Sequence, residues 1–261
     1  METIAVERHE GVVTVTLDRP RRKNAAIPQM WEELLAALTA IGRSTADRCV
    51  VMTGAGGNFC SGADIESLAS RAGDGEARHP LAMMGEVRDV LLALHHLPQP
   101  TIAKVRGVAV GIGMNLALAC DLVVAAEDAR FSEIFARRGL SVDGGGSWSL
   151  PRRVGMHRAK ELVLLADIVP AAEAERIGLV NRVVAEAEID GFVDAWARRL
   201  AAGPPIALAQ SKRLLDGAAA ISLRQALDDE GAAQAVNLAT RDTAEALAAW
   251  LEKREPRFEG R

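Results

Sequence analysis

Val105 to Asp121 reads VRGVAVGIGMNLALACD, and the fold turns on how this stretch changes character along its length. Gly107, Gly111 and Gly113 punctuate a first half that is otherwise mostly apolar, while Met114 to Cys120 carries helix formers without Gly or Pro. That order predicts a strand, a tight turn and a buried helix. Backbone N–H groups at such a helix start have no intrahelical acceptor, so they form a ready place for a negatively charged oxygen. The same glycines would also let a helix pack closely on a sheet. The stretch alone leaves both roles open.

Working outward, Thr101 to Val105 supplies a strand leading into it, and Leu122 to Ala125 beyond it resembles a short buried strand. Cys49 to Thr53 (CVVMT) predicts another, and the loop GAGGNFCSGAD runs from it into a helix expected from about Ile65. This is a second place where backbone N–H groups can face a ligand. Ser70 to Pro80 is polar and aperiodic, which suggests a mobile surface loop. Met84, Val87, Leu91 and Leu94 then restore a helical stripe of core residues.

The chain opens with two strand candidates, Ile4 to Arg8 and Val12 to Leu17, around a hairpin turn at Glu10-Gly11. Arg19, Arg21, Arg22 and Lys23 concentrate positive charge in RPRRKN, either a solvated loop or a phosphate site. Pro28 starts an amphipathic helix through Met30, Leu34, Leu38 and Ile41, stopped by Gly42. Beyond the central stretch, ARFSEIFARRGLSVDGGGSW reads as loops and turns bearing Glu133 and Asp143, two charged groups in apolar company. Helical patterns follow at Ala159 to Leu165 and Ala171 to Ile177, then a strand at Leu179 to Val184. A helix from Ile189 to Ala202 breaks at Gly203-Pro204-Pro205, and Ile206 to Leu215 and Leu223 to Lys253 are helical. The expected organisation is an α/β core over residues 1–200 and a helical region over 201–261.

With 261 residues, 49% of them hydrophobic, the chain can bury a sizeable core. Thirty-one basic against 35 acidic residues leave a net charge of -4, which argues against general nucleic-acid binding. Cys49, Cys60 and Cys120 lack metal-site spacing and read as reduced core thiols. His9, His79, His95, His96 and His157 are scattered without a ligand pair on one helical face, so no metal is expected. METIAVERHE is charged within a few residues, and no run is long enough to span a bilayer. A cytoplasmic protein away from membranes is the expectation.

Two generic motifs fail. A dinucleotide fingerprint would need a third glycine where Leu116 stands, and a nucleophile elbow around Ser147 would need glycine where Ser149 stands. What does match is an ordered set of blocks: SGAD, GVAVGIGMNLALACD, DGGGSWSLPRRVG, KELVLLADIVPAAEAERIGLVNRVV and WLEKREPRF. Together they span essentially the whole chain and resemble the crotonase, or enoyl-CoA hydratase/isomerase, family. The resemblance implies an α/β core of repeated ββα units wound in a spiral, with a helical C-terminal trimerisation region and trimers that often pair into hexamers.

It further implies an acyl-CoA thioester substrate, with coenzyme A carried by the substrate and no separate cofactor. By position, the backbone N–H groups of Ala63 and Ile112 would hold the thioester oxygen. Most members have glycine where Ile112 stands; the donor survives and its side chain would narrow the acyl pocket. One such donor is commonly worth roughly 3 kcal/mol in an enolate-like transition state. The resemblance also places coenzyme A across Arg21, Arg22 and Lys23 and the segment Ala63, Asp64 and Ile65. Lys253 and Phe258 of a neighbouring subunit would cover the nucleotide end.

The departures concern water. Typical hydratases of the family carry two glutamates that hold and activate water, and the corresponding residues here are Asn115 and Phe135. Asn115 can hydrogen-bond substrate or water, Phe135 would exclude water, and neither is a base. Glu133, two positions earlier, could substitute only if the backbone turned differently, and it reads as surface charge. Asp143 reads either as a helix N-cap before Gly145 or, by resemblance to the ring-epoxyphenylacetyl-CoA isomerase branch, as a proton-transferring base. As a base it gives double-bond or ring-epoxide isomerisation; as a nucleophile, dehalogenase- or hydrolase-like chemistry; with water, slow hydration. A non-catalytic acyl-CoA-binding protein is the fourth reading.

Overall fold

The computed structural model describes residues 1–66 and 80–261. The loop expected at Ser70 to Pro80 therefore lies, Pro80 apart, outside the described residues, as does the helix begun at Ile65 and Glu66 beyond its first two residues.

Two sheets carry the fold. The larger orders six strands β1 (Ile4–His9), β2 (Val12–Leu17), β3 (Cys49–Gly54), β4 (Thr101–Val105), β6 (Leu122–Ala126) and β9 (Arg182–Val184) side by side. Only the β1–β2 pair is antiparallel; each later pairing is parallel. The smaller sheet joins β5 (Val108–Val110), β7 (Arg130–Ser132) and β8 (Val169–Pro170). The first hairpin turns where expected, with positive φ at both Glu10 (49°) and Gly11 (81°), the twist that suits a two-residue hairpin.

Alternate residues of the larger sheet serve two cores. Val50, Met52, Ala103, Val105, Val123 and Ala125 face the helices Pro28–Gly42 and Pro80–His95 and the central helix Ile112–Leu118. Cys49, Val51, Ile102, Val124 and Ala126 face Ile189, Val193 and Ala197 of the helix Ile189–Ala201. Both faces being covered explains why these strands read as unbroken apolar runs instead of alternating ones.

Several boundaries differ from expectation for identifiable reasons. The pattern at Ala159 to Leu165 is the end of a helix over Gly146–Leu165, interrupted at Gly155 (φ 76°, ψ 161°) and containing Pro151. Its glycines and proline hid the first half. The expected strand Leu179 to Val184 shrinks to Arg182–Val184, because Leu179 and Val180 are buried in the turn before it. The long helix expected over Leu223 to Lys253 is two, Leu223–Leu238 and Arg241–Glu252, split where Thr240 caps the second by accepting from the Thr243 N–H. The region is not helical to its end. The last residues lie outside any helix or strand, with the Glu259 and Gly260 N–H groups donating to the buried Asp242 carboxylate at 2.7 and 2.9 Å.

Candidate active site

The loop after β3 is stitched at both edges by backbone. Cys60 N–H donates to Val108 C=O and Val110 N–H to Cys60 C=O, at 2.9 and 3.0 Å. Ala26 N–H donates to Gly62 C=O at 2.8 Å and Asp64 N–H to Ala26 C=O at 2.9 Å. Ala26 thus bonds the two neighbours of Ala63, which turns the Ala63 N–H away from it. From inside the loop's root, buried Asn24 donates to the carbonyls of Ala55 and Asn58.

The central stretch forms as read. Gly111 precedes the Ile112–Leu118 helix with φ 54°, which a β-carbon would strain, and any β-carbon there would press on Ile134 and Phe135. Gly113 serves the other purpose, close packing: a β-carbon would lie 2.4 Å from the Cys60 carbonyl oxygen. Asn115 N–H makes the first intrahelical bond, to Gly111 C=O. Among the described residues neither the Ala63 nor the Ile112 N–H donates to a protein acceptor, and the stitching at Cys60 and Gly62 holds their two loops together.

Facing the helix is the loop that carries Asp143. A β-carbon on Gly144 would lie 2.3 Å from Ile112 Cδ1 and 3.1 Å from Asn115 Cβ, so the loop runs directly over the first turn. The capping alternative for Asp143 fails. Gly145 is the N-cap, with φ 80° and no side-chain cap bond, and Asp143 supplies only its backbone carbonyl to the Gly146 N–H. Its Oδ1 is buried without a hydrogen-bond partner among the described residues. Burial pushes the carboxyl up to about 6.

Glu133 is a correction. Expected on the surface, it is 1% exposed, carried inward at the entry to the 3-10 turn Ile134–Arg138. Burial pushes its carboxyl up to about 8, the Asn115 hydrogen bond opposes this, and the charge of Asp143 adds to it. Asn115 bridges the two acids: its Nδ2 donates to the Asp143 carbonyl at 2.9 Å and reaches Glu133 Oε2 at 3.4 Å. Glu133 Oε1 and Asn115 Oδ1 are both buried without partners among the described residues. Unpaired polar atoms gathered in one buried place are costly to folding and mark a site built for something else. Phe135 is buried, its ring against Gly111.

The remaining expected residues divide. Arg21, Arg22, Lys23, Ala63 and Ile65 are exposed beside the stitched loop. Arg22 pairs with Glu66 at 2.8 Å in solvent, a weak pairing that a phosphate can displace. Asp64 is buried and ion-paired with Arg19 at 3.0 Å, and Arg19 also donates to the Ala25 carbonyl. That makes Asp64 a brace of the loop. Lys253 is exposed at the end of its helix, and Phe258 is half-buried with its carbonyl accepting from Arg48 at 2.8 Å. Within one chain no hydrogen bond joins either to the Ala63 or Ile112 loops among the described residues. No helix among them is long and apolar enough to cross a membrane.

Comparison with known proteins bears on the family and the fold. A "Probable enoyl-CoA hydratase" of Rhodobacter capsulatus is 40% identical over 99% of this chain and 98% of its own. The 1,2-epoxyphenylacetyl-CoA isomerase of Escherichia coli is 36% identical over 100% of both. The crystal structure of an enoyl-CoA hydratase from Bacillus anthracis superposes with a TM-score of 0.94 at 34% identity, covering 99% of this chain and 100% of that one. The two-sheet core is accordingly the crotonase fold. With the sequence model described as Enoyl-CoA hydratase/isomerase matching residues 7–261, the chain belongs to the enoyl-CoA hydratase/isomerase family.

Proposed function

We propose that this family enzyme isomerises an acyl-CoA thioester, shifting a double bond or rearranging a ring epoxide, with Asp143 as the proton-transfer base. The observation that carries the reading is the Asp143 carboxyl itself. It caps nothing, one of its oxygens is buried without a partner, and burial raises it to about 6. Such a group is ionised at neutral pH yet more basic than an ordinary aspartate, the compromise that general-base catalysis favours. In the reaction, Asp143 takes a proton from carbon and the electron pair moves into the thioester carbonyl. The resulting enolate oxygen accepts from the Ala63 and Ile112 N–H groups, and the same proton is returned at another carbon. One base suffices for this.

The Ile112 side chain shapes the acyl end, and Phe135 keeps water from one wall of it. Arg21, Arg22 and Lys23 draw the phosphates of coenzyme A, which arrives with the substrate, so no separate cofactor is needed. Ile65 and the exposed edge at Ala63 lie along the same path, with Asp64 bracing it from behind. The catalytic unit is residues 1–200; the helices of 201–261 assemble trimers or pairs of trimers, in which a neighbour's Lys253 and Phe258 close over the nucleotide. The protein works in the cytoplasm.

Hydration is the second reading, favoured by the names of most relatives and by the buried Glu133 beside Asn115. Incubation with 2-enoyl- and 3-enoyl-CoA in heavy water, followed by NMR, separates the two. A shifted double bond with exchanged protons supports isomerisation; 3-hydroxyacyl-CoA as the main product supports hydration and overturns the proposal. Free or hydroxylated acid would instead reveal Asp143 as a nucleophile, and binding without turnover a non-catalytic protein. Asp143→Asn is expected to lose about 10²- to 10⁴-fold in kcat together with the exchange, with acyl-CoA affinity kept within a few-fold.

A further inference from the structure

The isomerisation proposed above gives Glu133 no part, yet its carboxyl is buried at the centre of the site. Its donors and acceptors can be counted. Glu133 Oε1, Asn115 Oδ1 and Asp143 Oδ1 are all buried, and among the described residues none has a hydrogen-bond partner. The Asn115 amide donor is already used, its Nδ2 giving its hydrogens to the Asp143 backbone carbonyl and to Glu133 Oε2. With both carboxylates ionised, the cluster is nearly all acceptors. A proton on one carboxyl converts an acceptor into a donor. It belongs on the more deeply buried acid, Glu133, while Asp143 is only partly buried.

We propose that Glu133 is a neutral carboxylic acid at working pH, a positioning residue that donates into the Asn115–Asp143 cluster and leaves Asp143 as its one ionised carboxyl. This rests on Asp143 being the base. The shifts of the two acids, to about 8 and about 6, agree in order. Of the nearby arginines, Arg138 on the same 3-10 turn is exposed to solvent, and three others are engaged elsewhere. Arg137 pairs with Asp167, Arg153 donates to the carbonyls of Leu118 and Cys120, and Arg152 lies over the Trp148 ring. Among the described residues, Asp143 is the charged group that acts on Glu133.

Loss of the Glu133 proton has two effects. A second negative charge appears in a low-dielectric site where an anionic enolate must form, and the Asn115 amide is drawn from the Asp143 carbonyl toward the new carboxylate. Turnover should therefore fall at alkaline pH.

The experiment is a pH profile of kcat for 3-enoyl-CoA isomerisation, paired with infrared spectra of the carboxylic C=O band. The parent is expected to rise through an acid limb near pH 6 and to fall above pH 8 by about tenfold per pH unit, the slope of a one-proton step. In Glu133→Gln the alkaline limb should vanish and the acid limb remain, whatever the height of the plateau. Retention of the alkaline limb in that variant overturns the proposal. The infrared test needs no activity and covers a Glu133→Gln variant that fails to fold. The parent should show a buried carboxylic acid band at pH 7 that disappears on titration. In Asp143→Asn the band should persist with a lower midpoint, because the neighbouring charge is gone. Absence of any such band in the folded Asp143→Asn variant also overturns it. Failure of Asp143 as the base would show differently, as an Asp143→Asn variant that still exchanges protons.

Discussion

Replacing Asp143 by asparagine should make the protein more stable as it makes it less active. The carboxyl is raised from 3.8 to about 6 by burial alone, so its ionised form is disfavoured in the folded state. A shift of that size corresponds to a ceiling of about 3 kcal/mol, at 1.36 kcal/mol per unit. Solvent reaching a partly buried group reduces this, so we expect a gain of about 1–2 kcal/mol. The sign follows from linkage. An acid whose folded pKa exceeds its unfolded one weakens the fold increasingly as pH rises through 3.8 and fully above about 6. The gain from Asp143→Asn should therefore be full at pH 8, much smaller at pH 4, and absent well below pH 3.8. Urea denaturation of both proteins at one fixed concentration, at pH 4 and pH 8, measures it; the fixed concentration matters because assembly would contribute to apparent stability. A variant that is equally or less stable at pH 8, or whose gain does not depend on pH, would refute the reasoning. A capping aspartate predicts the opposite sign.

Changing Asn115 and Phe135 together to glutamate should raise the yield of 3-hydroxyacyl-CoA relative to the isomer; a folded double variant with an unchanged product ratio would show that these positions do not control water. The exposed Leu223, Leu227, Leu238, Leu247, Trp250 and Leu251 put so much apolar surface on the last two helices that light scattering should find trimers or hexamers, and monomer alone across the micromolar range contradicts this. Burial pushes the thiols of Cys49 and Cys120 up to about 12 and that of Cys60 up to about 11. The native protein at pH 8 should thus resist a thiol-alkylating reagent that labels the urea-unfolded chain within minutes, and prompt labelling of the native protein speaks against such burial.

Legibility in the sequence followed the range of the interactions. The strand, turn and helix of Val105 to Asp121 were readable because glycine placement and apolar runs are local signals, and the structure returns them at Thr101–Val105, Val108–Val110 and Ile112–Leu118. Gly113 shows the limit. Its need for closeness to Cys60 depends on a residue more than 50 positions away. Glu133 was misread as surface charge because its burial depends on a single 3-10 turn, Ile134–Arg138, that has no periodicity to detect. The available hint was a lone acid within the apolar run around Phe131 and Phe135. Asn115 and Phe135 are located by family resemblance, but the bonds from the Asn115 amide to the Glu133 carboxyl and the Asp143 backbone carbonyl needed coordinates. The break at Thr240 did have a local signal, a threonine before Arg241-Asp242 in capping position, outweighed by the alanine content around it.

The seam that holds Cys60 to Ala63 has an expected consequence for folding. It joins the backbone at Ala26, at Val108 to Val110 and at the loop itself, three segments far apart in sequence, and strand neighbours joined in parallel close slowly for the same reason. In the proposed mechanism, the Ala63 and Ile112 N–H groups come together only once all three have met. Recovery of turnover after dilution from urea should then lag behind recovery of helical circular dichroism, and a partly folded chain should be inactive instead of partly active.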